Sequence, residues 1–86
     1  KTVIDIEPDD AGKGALLQMT CTDRIGLLYT VARTLASYGV SLVSAKITTL
    51  DERVEDVFFI EGDTLKNPET VLFIETELLR VIEEDT

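Results

Sequence analysis

Met19-Thr-Cys-Thr-Asp-Arg-Ile-Gly-Leu-Leu28 carries an apolar run into a polar turn and then, without a break, into the start of an amphipathic helix. The side chains before the turn alternate, with Met19 and Cys21 on one face of an extended segment and Thr20 and Thr22 on the other. Thr22 or Asp23 is placed to accept hydrogen bonds from the first free N–H groups of the helix. Gly26 lets backbone or a ligand approach with no Cβ in the way. A helix N-terminus beside a glycine suits a small anion such as a carboxylate. The turn also has a purely structural reading, in which Asp23 only caps and Gly26 only packs.

Upstream, the apolar run extends back to Ala15. It reads as a strand from Ala15 to Thr22, with Leu17, Met19 and Cys21 on one face and Leu16, Gln18 and Thr20 on the other. The one-sided pattern predicts helices on a single face of the sheet. Before it, the stretch from Pro8 to Gly14 is dense in turn formers, and Val3 to Ile6 alternates as a short strand, so a hairpin joins the two.

Downstream, a helix is expected from Ile25 to about Tyr38. Leu28, Val31, Ala32 and Leu35 form its buried stripe, and Tyr29, Arg33, Thr34 and Ser37 point away. Gly39 sits where a left-handed cap would end it, and Val40 to Thr49 is a β-rich strand. Asp51 and Glu52 turn the chain back into a strand from Arg53 to Glu61, with Val57 and Phe59 on one face and Val54, Asp56, Phe58 and Ile60 on the other. If helices cover the Val57 and Phe59 side, Phe58 and Ile60 form an apolar interface for another subunit or domain. A one-residue change of register, or cover by a loop, removes that interface. Asn67-Pro68-Glu69 starts a last helix, with Asn67 as N-cap and Val71, Ile74, Leu78, Val81 and Ile82 on its apolar side.

The order is strand, strand, helix, strand, strand, helix, an α+β chain. A right-handed crossover from the Ala15 strand through the first helix to the Ser41 strand leaves a gap that the Arg53 strand fills. The result is a ferredoxin-like, four-stranded antiparallel sheet with two helices on one face. The Val3 strand takes the edge that a last strand occupies in the usual plan.

The chain has 86 residues with 44% hydrophobic residues, enough for one domain and one core. It begins at Lys1 without a methionine, which suggests a piece of a larger protein. Seventeen acidic against eight basic residues give a net charge of −9, which disfavours nucleic acid and anionic membranes as partners. No segment reads as a membrane span or an export leader, so a cytoplasmic setting is expected. Cys21 is the single cysteine and histidine is absent, leaving no histidine base, no soft-metal site and little to carry catalysis. Asp9-Asp10 and Glu83-Glu84-Asp85 read as solvated ends rather than a cage for a cation.

Thr22-Asp-Arg-Ile-Gly-Leu-Leu28 resembles the Asp-Arg-Pro-Gly-Leu-Leu signature of ACT domains, small modules that bind amino acids and regulate enzymes. Ser44-Ala-Lys-Ile-Thr-Thr-Leu-Asp-Glu-Arg-Val-Glu-Asp-Val-Phe-Phe-Ile60 is similar to one subgroup, the ACT domains at the C-terminus of protein-PII uridylyltransferase/uridylyl-removing enzymes. The resemblance covers the whole chain. Ile25 departs from it, standing where the signature has proline, and leaves the turn looser than a fixed φ would.

The resemblance implies a sensor of nitrogen status that binds glutamine, is paired with another ACT domain in cis or as a homodimer, and regulates catalytic domains elsewhere in the parent. Those domains would add UMP to PII when glutamine is scarce and remove it when glutamine is plentiful, with Mg2+ as the parent's metal and no cofactor in these residues. Within that resemblance, Gly26, Leu27 and Leu28 would hold the glutamine α-carboxylate through their N–H groups, and Asp23 or nearby carbonyls the ammonium. Ser44 would contact the ligand side chain or the paired domain. Arg24, also in the expected site, would pair with Asp23 or an acidic neighbour, or be solvated. The competing reading is a ligand-free docking or dimerisation module.

Overall fold

Four strands and two helices form in the expected order. The computed structural model describes residues 1–9, 12 and 14–84. β1 (Val3–Pro8), β2 (Gly14–Thr22), α1 (Leu27–Ala36), β3 (Ser41–Leu50), β4 (Arg53–Glu61) and α2 (Pro68–Glu84) are joined by short connections, with a 3-10 turn at Asp63–Lys66 before α2. The strands lie side by side as β1-β2-β4-β3, and every neighbouring pair is antiparallel. This is the α+β, ferredoxin-like arrangement, with β1 at the edge beside β2. At the tip of the first hairpin, residues 10, 11 and 13 lie outside the described residues, as does Asp85 at the acidic end. The Asp9 N–H donates to the Gly14 carbonyl at 2.9 Å.

The face of β4 follows from its partners. β4 sits in the middle of the sheet, and Phe58 pairs with Leu17 of β2, whose apolar side meets the helices. Phe58 and Ile60 are fully buried in the core, together with Leu17, Val31, Leu35, Ile74 and Leu78. The apolar interface expected from Phe58 and Ile60 is therefore corrected: these two side chains are core. Val57 and Phe59 point instead to the open face of the sheet, where Val57 is exposed and Phe59 half-buried. Sequence alternation left the choice open because both faces of β4 carry large apolar groups. Pairing in the sheet decides it, and burying a phenylalanine contributes about 1.5–3 kcal/mol.

α1 begins two residues later than the expected Ile25, and its buried side turns accordingly. Leu27, Val31, Thr34 and Leu35 face the core, while Leu28 is 44% exposed. Thr34 is buried because its hydroxyl donates to the Thr30 carbonyl at 2.8 Å, which satisfies the polar atom within its own helix. At the other end, Gly39 adopts φ 74, and the Val40 N–H reaches the Leu35 carbonyl at 3.0 Å, closing the helix with a left-handed residue. α2 starts as its sequence predicts: the Glu69 N–H donates to Asn67 Oδ1 at 2.9 Å. Further along α2, Glu75 Oε2 accepts from the Ile6 N–H at 2.8 Å, which occupies a backbone donor of the edge strand β1.

β3 is the other edge, and it carries a bulge. Leu42 pairs with Ile60 and Ser44 with Phe59, so Val43 is the extra residue. Beyond the bulge, Ala45, Ile47 and Thr49 share the helix side of the sheet, and Ser44, Lys46 and Thr48 share the open side. α1 does not reach far enough to cover this edge, and Ile47 stays 50% exposed.

Candidate functional site

The β2–α1 turn is held in place from outside. The Asp23 N–H donates to the Glu52 carbonyl at 2.7 Å, tying the turn to the β3–β4 hairpin, which itself bends through a left-handed Asp51 at φ 58. After Asp23 the chain runs through Arg24 and a fully exposed Ile25 to Gly26 at φ 81, ψ 6. Gly26 is the residue flanking α1, and no side chain caps the helix. The expected cap by Thr22 or Asp23 does not form, because the turn places three residues between Asp23 and Leu27. The first intrahelical bond runs from the Thr30 N–H to the Gly26 carbonyl at 2.9 Å. The N–H groups of Leu27, Leu28 and Tyr29 therefore lie outside the helical ladder and form its positive end.

A cleft of about 240 Å³ opens at this end, lined by Asp23, Arg24, Gly26, Leu27, Leu28, Tyr29, Ile47, Val54 and Asp56. Five residues singled out from the sequence thus meet in one place. Thr22 and Ser44 do not join them. Thr22 is exposed and pairs with Arg53 on the open side of the sheet, and the bulge at Val43 puts Ser44 opposite Phe59 on that same side.

Asp56 is the residue that sequence reasoning missed. It lies on the helix side of β4 among Val54, Phe58 and Ile60, and it is only 3% exposed. Its Oδ1 is buried with no hydrogen-bond partner. Burial pushes its carboxyl above the usual aspartate range, and the negative charge of Asp23 adds to the rise. The sequence held one signal: a single charged residue in the middle of an apolar alternation. Cys21 is buried nearby, and its thiol is raised by burial first and by the charge of Asp56 next.

Larger hollows exist but have less to offer chemically. A cleft of about 370 Å³ runs between α1 and α2 past Arg33, Glu77, Arg80 and Glu84. There Arg80 already pairs with Glu77 at 2.7 Å and with Glu84. A hollow of about 560 Å³ beside Pro8, Leu65, Pro68 and Val71 is mainly apolar. Among the described residues, no three His, Cys, Asp or Glu side chains gather where a metal ion could sit. No helix among them is long and apolar enough to cross a membrane.

The family model for the ACT domain matches residues 15–72, from the start of β2 into α2. The chain is 46% identical over 83 residues, 95% of its length, to the bifunctional uridylyltransferase/uridylyl-removing enzyme of Ralstonia nicotianae. It is 44% identical over 79 residues, 92% of its length, to the enzymes of the same name from Burkholderia mallei and Burkholderia thailandensis. The aligned region makes up 10% of the Ralstonia protein and 9% of the Burkholderia ones. No solved structure matches the chain. With its turn, its sheet order and the family model in agreement, the chain belongs to the ACT domain family.

Proposed function

We propose that this chain is the glutamine-sensing regulatory domain of a uridylyltransferase/uridylyl-removing enzyme, controlling the uridylylation and deuridylylation of PII in response to nitrogen status. The observation that carries the reading is the cleft at the N-terminus of α1, where free N–H groups and carboxylates face one small volume. The similarity to enzymes of that name along nearly the whole chain supports the identity of the parent. The cleft volume falls below the range of about 300–1,000 Å³ for drug-sized ligands, a scale that suits a free amino acid. The positive end of α1 takes the α-carboxylate at Gly26, Leu27 and Leu28. Regulation follows when glutamine binds one arrangement of paired ACT domains better than another, which shifts the parent between its two activities. The parent's catalytic domains, with their Mg2+, lie outside these residues, and the cytoplasm is where such an enzyme meets PII.

A second reading, a ligand-free docking module, draws on the β3 edge, whose Ile47 is half exposed and whose outer backbone groups are open to another strand. Isothermal titration of the 86-residue chain with glutamine separates the two, with glutamate and asparagine as controls and association state measured in parallel. Saturable binding selective for glutamine is expected. No heat at millimolar glutamine, in a folded sample, would overturn the sensor reading and favour the docking module.

A further inference from the structure

A carboxylate buried without a hydrogen-bond partner is costly, and its cost falls when a cation with donors of its own is placed against it. Asp56 is such a group, and it borders the cleft that the N-terminus of α1 also borders. We propose that Asp56, at the back of this cleft, receives the α-ammonium group of the bound amino acid and makes a free amine a requirement for binding. This rests on the amino-acid reading given under Proposed function, and it assigns the ammonium a residue within the sheet in place of the exposed Asp23.

The arrangement is that of a site for a zwitterion. The N–H groups of Leu27, Leu28 and Tyr29 present positive charge at one side, and Asp56 presents negative charge on β4, between Met19 of β2 and Ile47 of β3. An ammonium group brings three donors and one charge, which the carboxylate of Asp56 can meet. A calcium ion asks for six to eight oxygen ligands and a magnesium ion for a near-ideal octahedron. Among the described residues the cleft offers the carboxylates of Asp56 and Asp23, no third carboxylate, and the Arg24 guanidinium in its lining. Val54 and Asp56 are themselves 2% and 3% exposed, and a charge contact made at such a buried position is stronger than one in water.

The test is titration of wild type and Asp56→Asn with two probes, L-glutamine and glutaramic acid, which has the same chain and carboxylate but no α-amine. Asparagine keeps the shape and removes the charge, and circular dichroism with thermal unfolding checks that the variant is folded. Asp56→Asn is expected to bind glutamine at least about 100-fold more weakly than wild type, the lower end of the scale for removing one partner of a buried charge pair. It should bind glutaramic acid no less well than wild type does. Wild type should itself prefer glutamine over glutaramic acid by a similar factor, a comparison that does not depend on the variant folding. Unchanged glutamine binding by a folded Asp56→Asn, or equal binding of both probes by wild type, would overturn the role of Asp56 and leave the sensor reading standing. Failure of wild type to bind glutamine would overturn both.

Discussion

Gly26 and Gly39 form a matched pair. Both adopt positive φ, 81 and 74, and a Cβ added at either meets no atom within 4 Å. Alanine at either position therefore introduces backbone strain with no clash. The strain of the left-handed conformation is about 1–2 kcal/mol. Stiffening of the unfolded chain offsets about 0.4–1 kcal/mol of it. The net loss is about 1 kcal/mol for each variant, which in a domain of this size lowers Tm by about 4–8 °C. The two sites differ in what surrounds them: Gly26 lines the cleft, and Gly39 ends α1 on the side away from it. Calorimetry should show the same drop in Tm for Gly26→Ala and Gly39→Ala. Glutamine titration should show lost or much weakened binding for Gly26→Ala alone. Variants melting within a degree of wild type would refute the strain argument. Equal glutamine affinity in the two variants would remove the turn from the site.

Phe58→Ala should lose about 3–5 kcal/mol in urea unfolding, while Val57→Ala, on the open face, loses far less; similar losses would mean that the face assignment of β4 is wrong. For Asp56 the sign follows from its raised pKa: the folded state holds the proton more tightly than the unfolded state, so the stabilising difference is present at low pH and is lost as pH rises through the folded pKa. Asp56→Asn should match wild type below about pH 4, near the ordinary aspartate value, and become the more stable protein toward neutrality. The ionisable groups around Asp56 are the acidic Asp23 and the thiol of Cys21, with the Arg24 guanidinium lining the same cleft, and all three are kept in the variant. Parallel stability curves from pH 4 to pH 8 would contradict this.

What could be read from the sequence was what local chemistry decides. The Asn67-Pro68 start of α2 and the Gly39 end of α1 formed as expected, because each depends on one residue and its own backbone. The strand order followed from element order and crossover handedness. The faces of β4 could not be read, since Val57 and Phe59 are as apolar as Phe58 and Ile60, and only the partner Leu17 separates them. The first turn of α1 was misplaced because a left-handed Gly26 replaces a side-chain cap. That shift brings Leu27 and Thr34 inward where Leu28 and Ala32 were expected. Ser44 was lost from the cleft for a different reason. One extra residue at Val43 reverses the faces of everything after it in β3, and no turn former marks that bulge in the sequence.

The position of β1 has a consequence for how the chain reaches this structure. In the usual βαββαβ order, two of the three strand pairings join segments far apart in sequence, and the last strand must find the first before the sheet is complete. Here β1–β2 and β3–β4 are hairpins, and only the pairing of β2 with β4 requires a long loop to close. Loop-closure entropy is thus spent once instead of twice, which lowers contact order and favours rapid folding. The remaining long-range contact is the one that sets Thr22 beside Arg53 and Leu17 beside Phe58. The cleft at the N-terminus of α1 borders that seam, so the same pairing that commits the chain to its fold assembles the proposed amino-acid site.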